Sequence, residues 1–171
     1  MTKEVHNITV TVFEKNEEKI ENHKDLFHFL LPIDFETQKV DMSIESIEGL
    51  NQKPIYIIRL KTRKNNHNQQ LLDMVFSQLN ETDKKQIGDQ YLSRLNQEGY
   101  FFIRLDKENL SQKKFVLTDN GDCFHFKIKI ASFPAKWDAF VKTTESLLIK
   151  YHCMKNDKQE ILKKNKKKKN D

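Results

Sequence analysis

Along residues 4–13 the apolar side chains Ile8, Val10 and Val12 alternate with Asn7, Thr9 and Thr11. A period of two in β-branched residues predicts a half-buried strand, because successive strand residues point to opposite faces of a sheet. The period then changes. Ile20, Leu26, Phe27, Leu30 and Leu31 fall mostly on one helical face, with Asn16 placed to cap the helix, Glu17 and Glu18 at its positive end and Pro32 closing it. Val40, Met42 and Ile44, extended to Ile47, alternate with Asp41, Ser43 and Glu45, and Gly49 with Pro54 marks a turn before residues 55–61. A β-hairpin is expected there.

Residues 62–70 are polar throughout and read as a loop, after which Leu71, Leu72, Val75, Phe76 and Leu79 recur at helical spacing. Thr82 offers a further N-cap, with Lys85 where a capping box would carry Glu, and Ile87, Tyr91, Leu92 and Leu95 continue the helical spacing as far as Gly99, read as a helix stop. Residues 100–105, 114–117 and 123–130 read as three strands, the last two joined by a turn over residues 118–122. A final helix starting at Ser132 or Pro134 carries an apolar stripe that includes Trp137, Phe140, Val141, Leu147 and Leu148, and such a stripe must dock on the sheet.

This order of elements predicts an α+β fold: one domain, residues 1–153, with a mixed or antiparallel sheet and helices packed on one of its faces. A chain of 171 residues is long enough for one substantial core. Residues 154–171 form a lysine-rich tail whose charge leaves too little apolar surface to offset the entropy of ordering it, so disorder is expected there.

Charge changes the picture only once it is located. The chain carries +5, but residues 155–171 hold eight Lys against Asp157, Glu160 and Asp171, which leaves 22 basic and 22 acidic side chains in the rest. The body is net neutral, so any polyanion-binding face in it must come from segregation of charge. No run approaches the length of apolar sequence that spans a membrane and the N-terminus lacks the apolar stretch of a signal peptide, which points to the cytoplasm.

Chemistry-bearing motifs are sparse. Cys123 and Cys153 are too few for a disulfide framework, and the six His show no metal-ligand spacing. A zinc site from Cys123, His125, His152 and Cys153 would need distant segments to meet, and isolated Cys and His usually just pack. The four Gly stand apart, so no phosphate-cradling loop exists. Asp106, Asp119 and Asp122 are the material for an acidic metal site and a nuclease, although carboxylates beside Asn and Gly more often cap turns. No catalytic residue, metal or cofactor is expected.

The strands are more informative. Period two separates Phe124, Phe126, Ile128 and Ile130 from Cys123, His125, Lys127 and Lys129, and separates Phe101, Ile103 and Leu105 from Tyr100, Phe102 and Arg104; Ile55, Ile57, Arg59 and Lys61 share a side of their strand. Aromatics interleaved with cations suit RNA, since rings stack on unpaired bases while Lys and Arg neutralise phosphates. On the residues alone an ordinary solvated face is the simpler reading, with long side chains covering apolar surface.

The run from Arg94 through Glu98-Gly99 and the strand to Arg104-Leu105-Asp106-Lys107 resembles an archaeal family of RNA-binding proteins described as predicted exosome subunits. That family's fold is similar to the ribosomal protein that binds five-S rRNA. The resemblance covers roughly residues 3–152, and residues 122–130 fit the family's next strand. In Gly49-Leu50-Asn51-Gln52-Lys53-Pro54-Ile55 the chain departs from the family's Gly-His-Tyr-Gly-Asn-Pro-Ile, and Glu108 stands where the family has Gln. The resemblance implies RNA as partner and a connection to RNA processing or degradation, with Arg104 and Lys107 as the carried-over contacts and Asn51 and Lys53 beside them. Together with the strand pattern it yields one expectation: a non-catalytic RNA-binding module in which Arg104, Lys107, Lys127 and Lys129 meet phosphates and Tyr100 or Phe102 stacks on bases. The alternative is a protein-interaction module, an accessory to an RNA-processing assembly, whose lysine tail alone touches polyanions.

Overall fold

The structure, a computed structural model, describes residues 3–157, so the expected disorder of the lysine tail from residue 158 onward lies outside the described residues. Five strands, β1 (Val5–Glu14), β2 (Asp41–Glu48), β3 (Pro54–Thr62), β4 (Tyr100–Asp106) and β5 (Cys123–Ile130), form one sheet in the order β2-β3-β1-β5-β4. Every neighbouring pair is antiparallel, so the sheet is antiparallel and not mixed. The first strand of the chain becomes the central one. Its Ile8, Val10 and Val12 are fully buried, as a strand flanked on both edges and covered on one face requires.

Among the described residues there are also seven α-helices: α1 (Ile20–Leu30), α2 (Phe35–Gln38), α3 (Asn65–Gln78), α4 (Glu81–Asp89), α5 (Tyr91–Arg94), α6 (Lys107–Ser111) and α7 (Trp137–Lys150). The apolar faces of α1, α3 and α7 meet one side of the sheet. Phe27, Leu30, Leu71, Phe76 and Leu148 join Ile58, Leu60, Phe101, Phe124 and Phe126 in a single core. Full burial of each such side chain is worth about 1.5–3 kcal/mol, which ties the helical layer firmly to this one face. Asn16 does cap the first helical turn, its side chain accepting from the Glu18 amide at 3.0 Å. Among the described residues no helix is long and apolar enough to cross a membrane.

The structure departs from the expectation at several boundaries. Residues 65–70 are helical, because Asn68 is buried with Nδ2 at 3.3 Å from the carbonyls of both Val5 and His6 and with its Oδ1 accepting from the Thr62 hydroxyl at 2.6 Å. Partners on β1 and β3 thus recruit a polar run into α3. The N-cap of α4 is Asn80, which accepts from the Asp83 amide at 2.8 Å, and not Thr82. The helix then breaks at Gln90 instead of running on to Gly99. Gly99 sits at φ +79 in a turn closed by the Asn96 side chain, and a Cβ there would lie 2.5 Å from the Phe140 ring of α7. It is a turn and close-approach glycine.

Residues 114–117 do not form a strand beside β5. They run along the outer edge of β4, held by a single Leu105–Leu117 bridge and by the Asp106 and Thr118 amides, because Phe115 turns inward toward Phe29. The last helix begins at Trp137, later than Ser132 or Pro134.

Candidate nucleic-acid interface

The described helices pack on one side of the sheet and none of them covers the other, the open side, where strand register lays out the side chains in rows. Asn7, Lys129 and Tyr100 make one row; Lys61, Thr9, Lys127 and Phe102 the next; Arg59, Thr11, His125 and Arg104 the next. Phe13 and Ile57 close the face at the far end of β1. Five of the residues expected from sequence, Tyr100, Phe102, Arg104, Lys127 and Lys129, are therefore brought together on β4 and β5.

Their geometry differs from residue to residue. The ammonium groups of Lys127 and Lys129 stand 4.1 and 4.5 Å from the Tyr100 ring centroid, and Lys129 also donates to the Glu98 carbonyl. Cation–π contact holds both lysines over the sheet without neutralising them, but it occupies the Tyr100 ring. Phe102 stacks on His125, with centroids 5.4 Å apart and planes 24° apart. Arg104 is exposed, and among the described residues no carboxylate lies within ion-pair distance of it. Burial, helped by the Arg104 and Lys127 charges, pulls the His125 pKa below the usual imidazole value, so the ring is neutral at neutral pH.

Lys107 is placed differently. Its ammonium donates to the Phe13 carbonyl at 2.7 Å and lies 3.1 Å from Glu14 and 3.3 Å from Asp122, with the side chain only 16% exposed. Glu14 is itself buried and bonded to His23 Nε2 at 2.7 Å. Burial alone would push the Glu14 carboxyl up, but hydrogen bonds from His23, the Asn16 amide and Lys107 outweigh it and hold the group at about 2. An ionised Glu14 can only accept, so His23 donates from Nε2 and leaves Nδ1 buried without a partner. Burial keeps the His23 ring neutral despite the carboxylate. The charge of Lys107 is thus neutralised within the fold, where it links the end of β4 to β1 across β5.

Asn51 and Lys53 lie in the β2–β3 turn, at the end of the sheet opposite Tyr100 and Lys129. Asn51 and Gln52 adopt left-handed backbone conformations, φ 63 and 60, and the Lys53 carbonyl accepts from the Gly49 amide at 2.8 Å. This turn protrudes, with Leu50 93% exposed.

Among the described residues the groups for the alternative chemistries do not come together. Cys123 faces the open side of β5 whereas Cys153 packs against Gly88 on the helical side, where a glycine Cβ would lie 1.9 Å from the Cys153 carbonyl. Asp106 caps α6 through the Asn109 amide and Asp122 pairs with Lys107, so two of the three aspartates are used as cap and ion-pair groups. Among the described residues no group of three His, Cys, Asp or Glu is placed to hold a metal.

Sequence reasoning did not single out Thr9, Thr11 and Phe13. Period two places them on the polar side of β1, but only the strand order makes that side the middle of the interface. There Thr9, Thr11 and Phe13 border a hollow of about 460 Å³ together with Arg59, Arg104 and His125.

Comparison with known proteins agrees with this architecture. A family model described as RNA binding matches residues 7–130. The chain is 23% identical over 145 residues to the RNA-binding protein PAB1135 of Pyrococcus abyssi, covering 85% of this chain and 94% of that protein. Among solved structures, Mth689, a DUF54 protein from Methanothermobacter thermautotrophicus, superposes with a TM-score of 0.67 at 22% identity, over 85% of this chain and 98% of its own. Protein AF2318 from Archaeglobus fulgidus does so with a TM-score of 0.71 at 17% identity, over 84% and 99%. At these identities the structures establish the fold.

Proposed function

This chain belongs to the RNA-binding family whose model spans most of its folded body, and from that premise we propose that it is a non-catalytic RNA-binding protein that meets RNA with the β4–β5 half of its open sheet face. The observation that carries the reading is Arg104, exposed and without a carboxylate partner among the described residues, beside Lys127, Lys129 and the Phe102–His125 stack. Cations set among ring faces can neutralise phosphates and stack bases at once, and an otherwise neutral body concentrates that attraction on one face. Lys107 holds the end of this half in place, and Asn51 and Lys53 extend the contact only for an RNA long enough to reach the β2–β3 turn.

The finer reading is that of an accessory to RNA processing or degradation, as an exosome-associated or ribosomal-RNA-binding module acting in the cytoplasm, with a fold shared with the five-S-rRNA-binding ribosomal protein. It rests on the resemblance of residues 94–107 and 122–130. A second reading, a protein-interaction module, is favoured by the β2–β3 hairpin, which exposes Ile44, Ile47 and Leu50.

The test is RNA binding across salt concentrations by the full chain and by a version ending at Met154. Retained, salt-steep binding by the shorter chain supports the sheet face as the contact. Binding lost with the tail moves the contact there and leaves the body to a protein partner.

A further inference from the structure

We infer that the RNA taken by this face is a single strand lying along β1, with a base seated in the hollow next to Phe13; the inference rests on the RNA-binding reading above. Small polar side chains, Asn7, Thr9 and Thr11, line the open side of β1 from its start to Phe13. The strands on either side carry long ones. Arg59 and Lys61 stand on β3, and His125 and Lys127 stand directly across from them on β5. Small residues on the central strand between long ones on both neighbours make a trough. Its walls stand about 9.5 Å apart, twice the strand spacing, and it runs about 20 Å from Asn7 to Phe13.

Three features of this trough select for one strand. Lys127 on the β5 wall and Lys61 on the β3 wall make no ion pair among the described residues, whereas Arg59 is paired with Glu45, so it is these two lysines that give phosphates of a chain lying in the trough a charge on each side, the arrangement that tracks a single-stranded backbone. Its floor holds the Thr9 and Thr11 hydroxyls, neither of which makes a side-chain hydrogen bond to the described residues, leaving donors and acceptors for base edges or the 2′-hydroxyl. At its end the Phe13 ring is 50% exposed on a mid-sheet strand, and its carbonyl is pinned by Lys107 at 2.7 Å, so a large apolar ring is held facing outward beside the hollow. At about 460 Å³ the hollow lies in the range of sites that enclose small ligands. Bases of a duplex are stacked and paired, and cannot enter it without being unpaired.

The experiment uses the full chain and three probes: a fluorescein-labelled single-stranded RNA of about eight nucleotides, within the usual site size for such grooves, a blunt RNA duplex of the same label, and unlabelled AMP as competitor. The expected result is single-strand binding about tenfold tighter than duplex binding, with no displacement of the strand by AMP in about a thousandfold excess over the RNA. Thr11→Leu fills the hollow while leaving every cation in place. It should weaken the single strand about tenfold, leave the duplex unchanged and leave the melting temperature unchanged. A duplex bound as tightly as the strand overturns the inference while the RNA-binding reading survives. Displacement by AMP overturns it in favour of a free-nucleotide site, and binding of neither RNA removes both readings. Should T11L unfold, the comparison of the two RNAs on the unaltered chain still decides.

Discussion

At β3 and β2, Arg59 meets Glu45 at 2.9 Å and Arg63, just past the end of β3, meets Asp41, whereas on β5 and β4 the cations Lys127, Lys129 and Arg104 meet aromatic rings or, among the described residues, no carboxylate. Both halves of the open face are rich in Lys and Arg. They differ in what stands across the strand pair: β2 presents Asp41 and Glu45 to β3, while β4 presents Tyr100, Phe102 and Arg104 to β5. A ring holds a cation in position without cancelling its field at longer range; a carboxylate cancels it. Number of basic residues is therefore a poor guide to where a polyanion binds, and the identity of the cross-strand neighbour is a better one.

The sharpest break of this contrast is charge reversal on the β4–β5 half. Arg104→Glu with Lys127→Glu should weaken RNA binding about a hundredfold at low salt and lower the slope of log affinity against log salt by about 1.4, two single-strand phosphate contacts. The same reversal at Arg59 and Arg63, already paired, should have a much smaller effect in the same anisotropy titration. If both pairs weaken binding equally, the halves are not different.

Next in size is the link that ties the end of β4 to β1. Glu14→Gln leaves His23 and Lys107 facing a neutral partner in a buried site and should cost about 2–3 kcal/mol in urea unfolding. The same group sets an acid limb. With its folded value at about 2 and its unfolded value near the usual carboxylate pKa, Glu14 contributes stability above that pKa and loses it as pH falls toward 2. The limb should be absent from melting curves of E14Q.

Smaller is the effect of freeing the opposite half. Glu45→Gln should release Arg59, raise RNA affinity about threefold and steepen the salt slope by less than one contact. The smallest prediction concerns His125. Its pKa is depressed, so the unfolded chain takes up a proton near pH 6.5 that the fold refuses, and stability declines as pH falls below that point. Phosphates over the face would draw the pKa upward, so RNA affinity should rise about twofold between pH 7.5 and 5.5 and lose that dependence in His125→Gln.

Strand faces were legible in the sequence, because period two in β1, β4 and β5 is strict and the core side carries only apolar residues up to the strand ends. Helix starts were less so. Asn65 to Gln70 look like loop until β1 supplies carbonyls to the Asn68 side chain, a contact between residues more than sixty apart. Residues 114–117 have strand composition, but their neighbour in the fold is β4, and Phe115 leaves the line of the strand for the core. The family resemblance marks Lys107 as a carried-over contact, but its partners at Phe13 and Glu14 lie in the first strand of the chain, more than ninety residues away.

Which side chains share a face, and that the body is neutral while its end is basic, follow from spacing and composition alone, since both are properties of neighbouring residues. That β1 lies at the centre, that its threonines floor a trough between Arg59 and His125, and that one set of cations is neutralised while another is not were decided by tertiary structure. Strand order and cross-strand partners join residues distant in the chain, and no local periodicity encodes which strand will lie beside which.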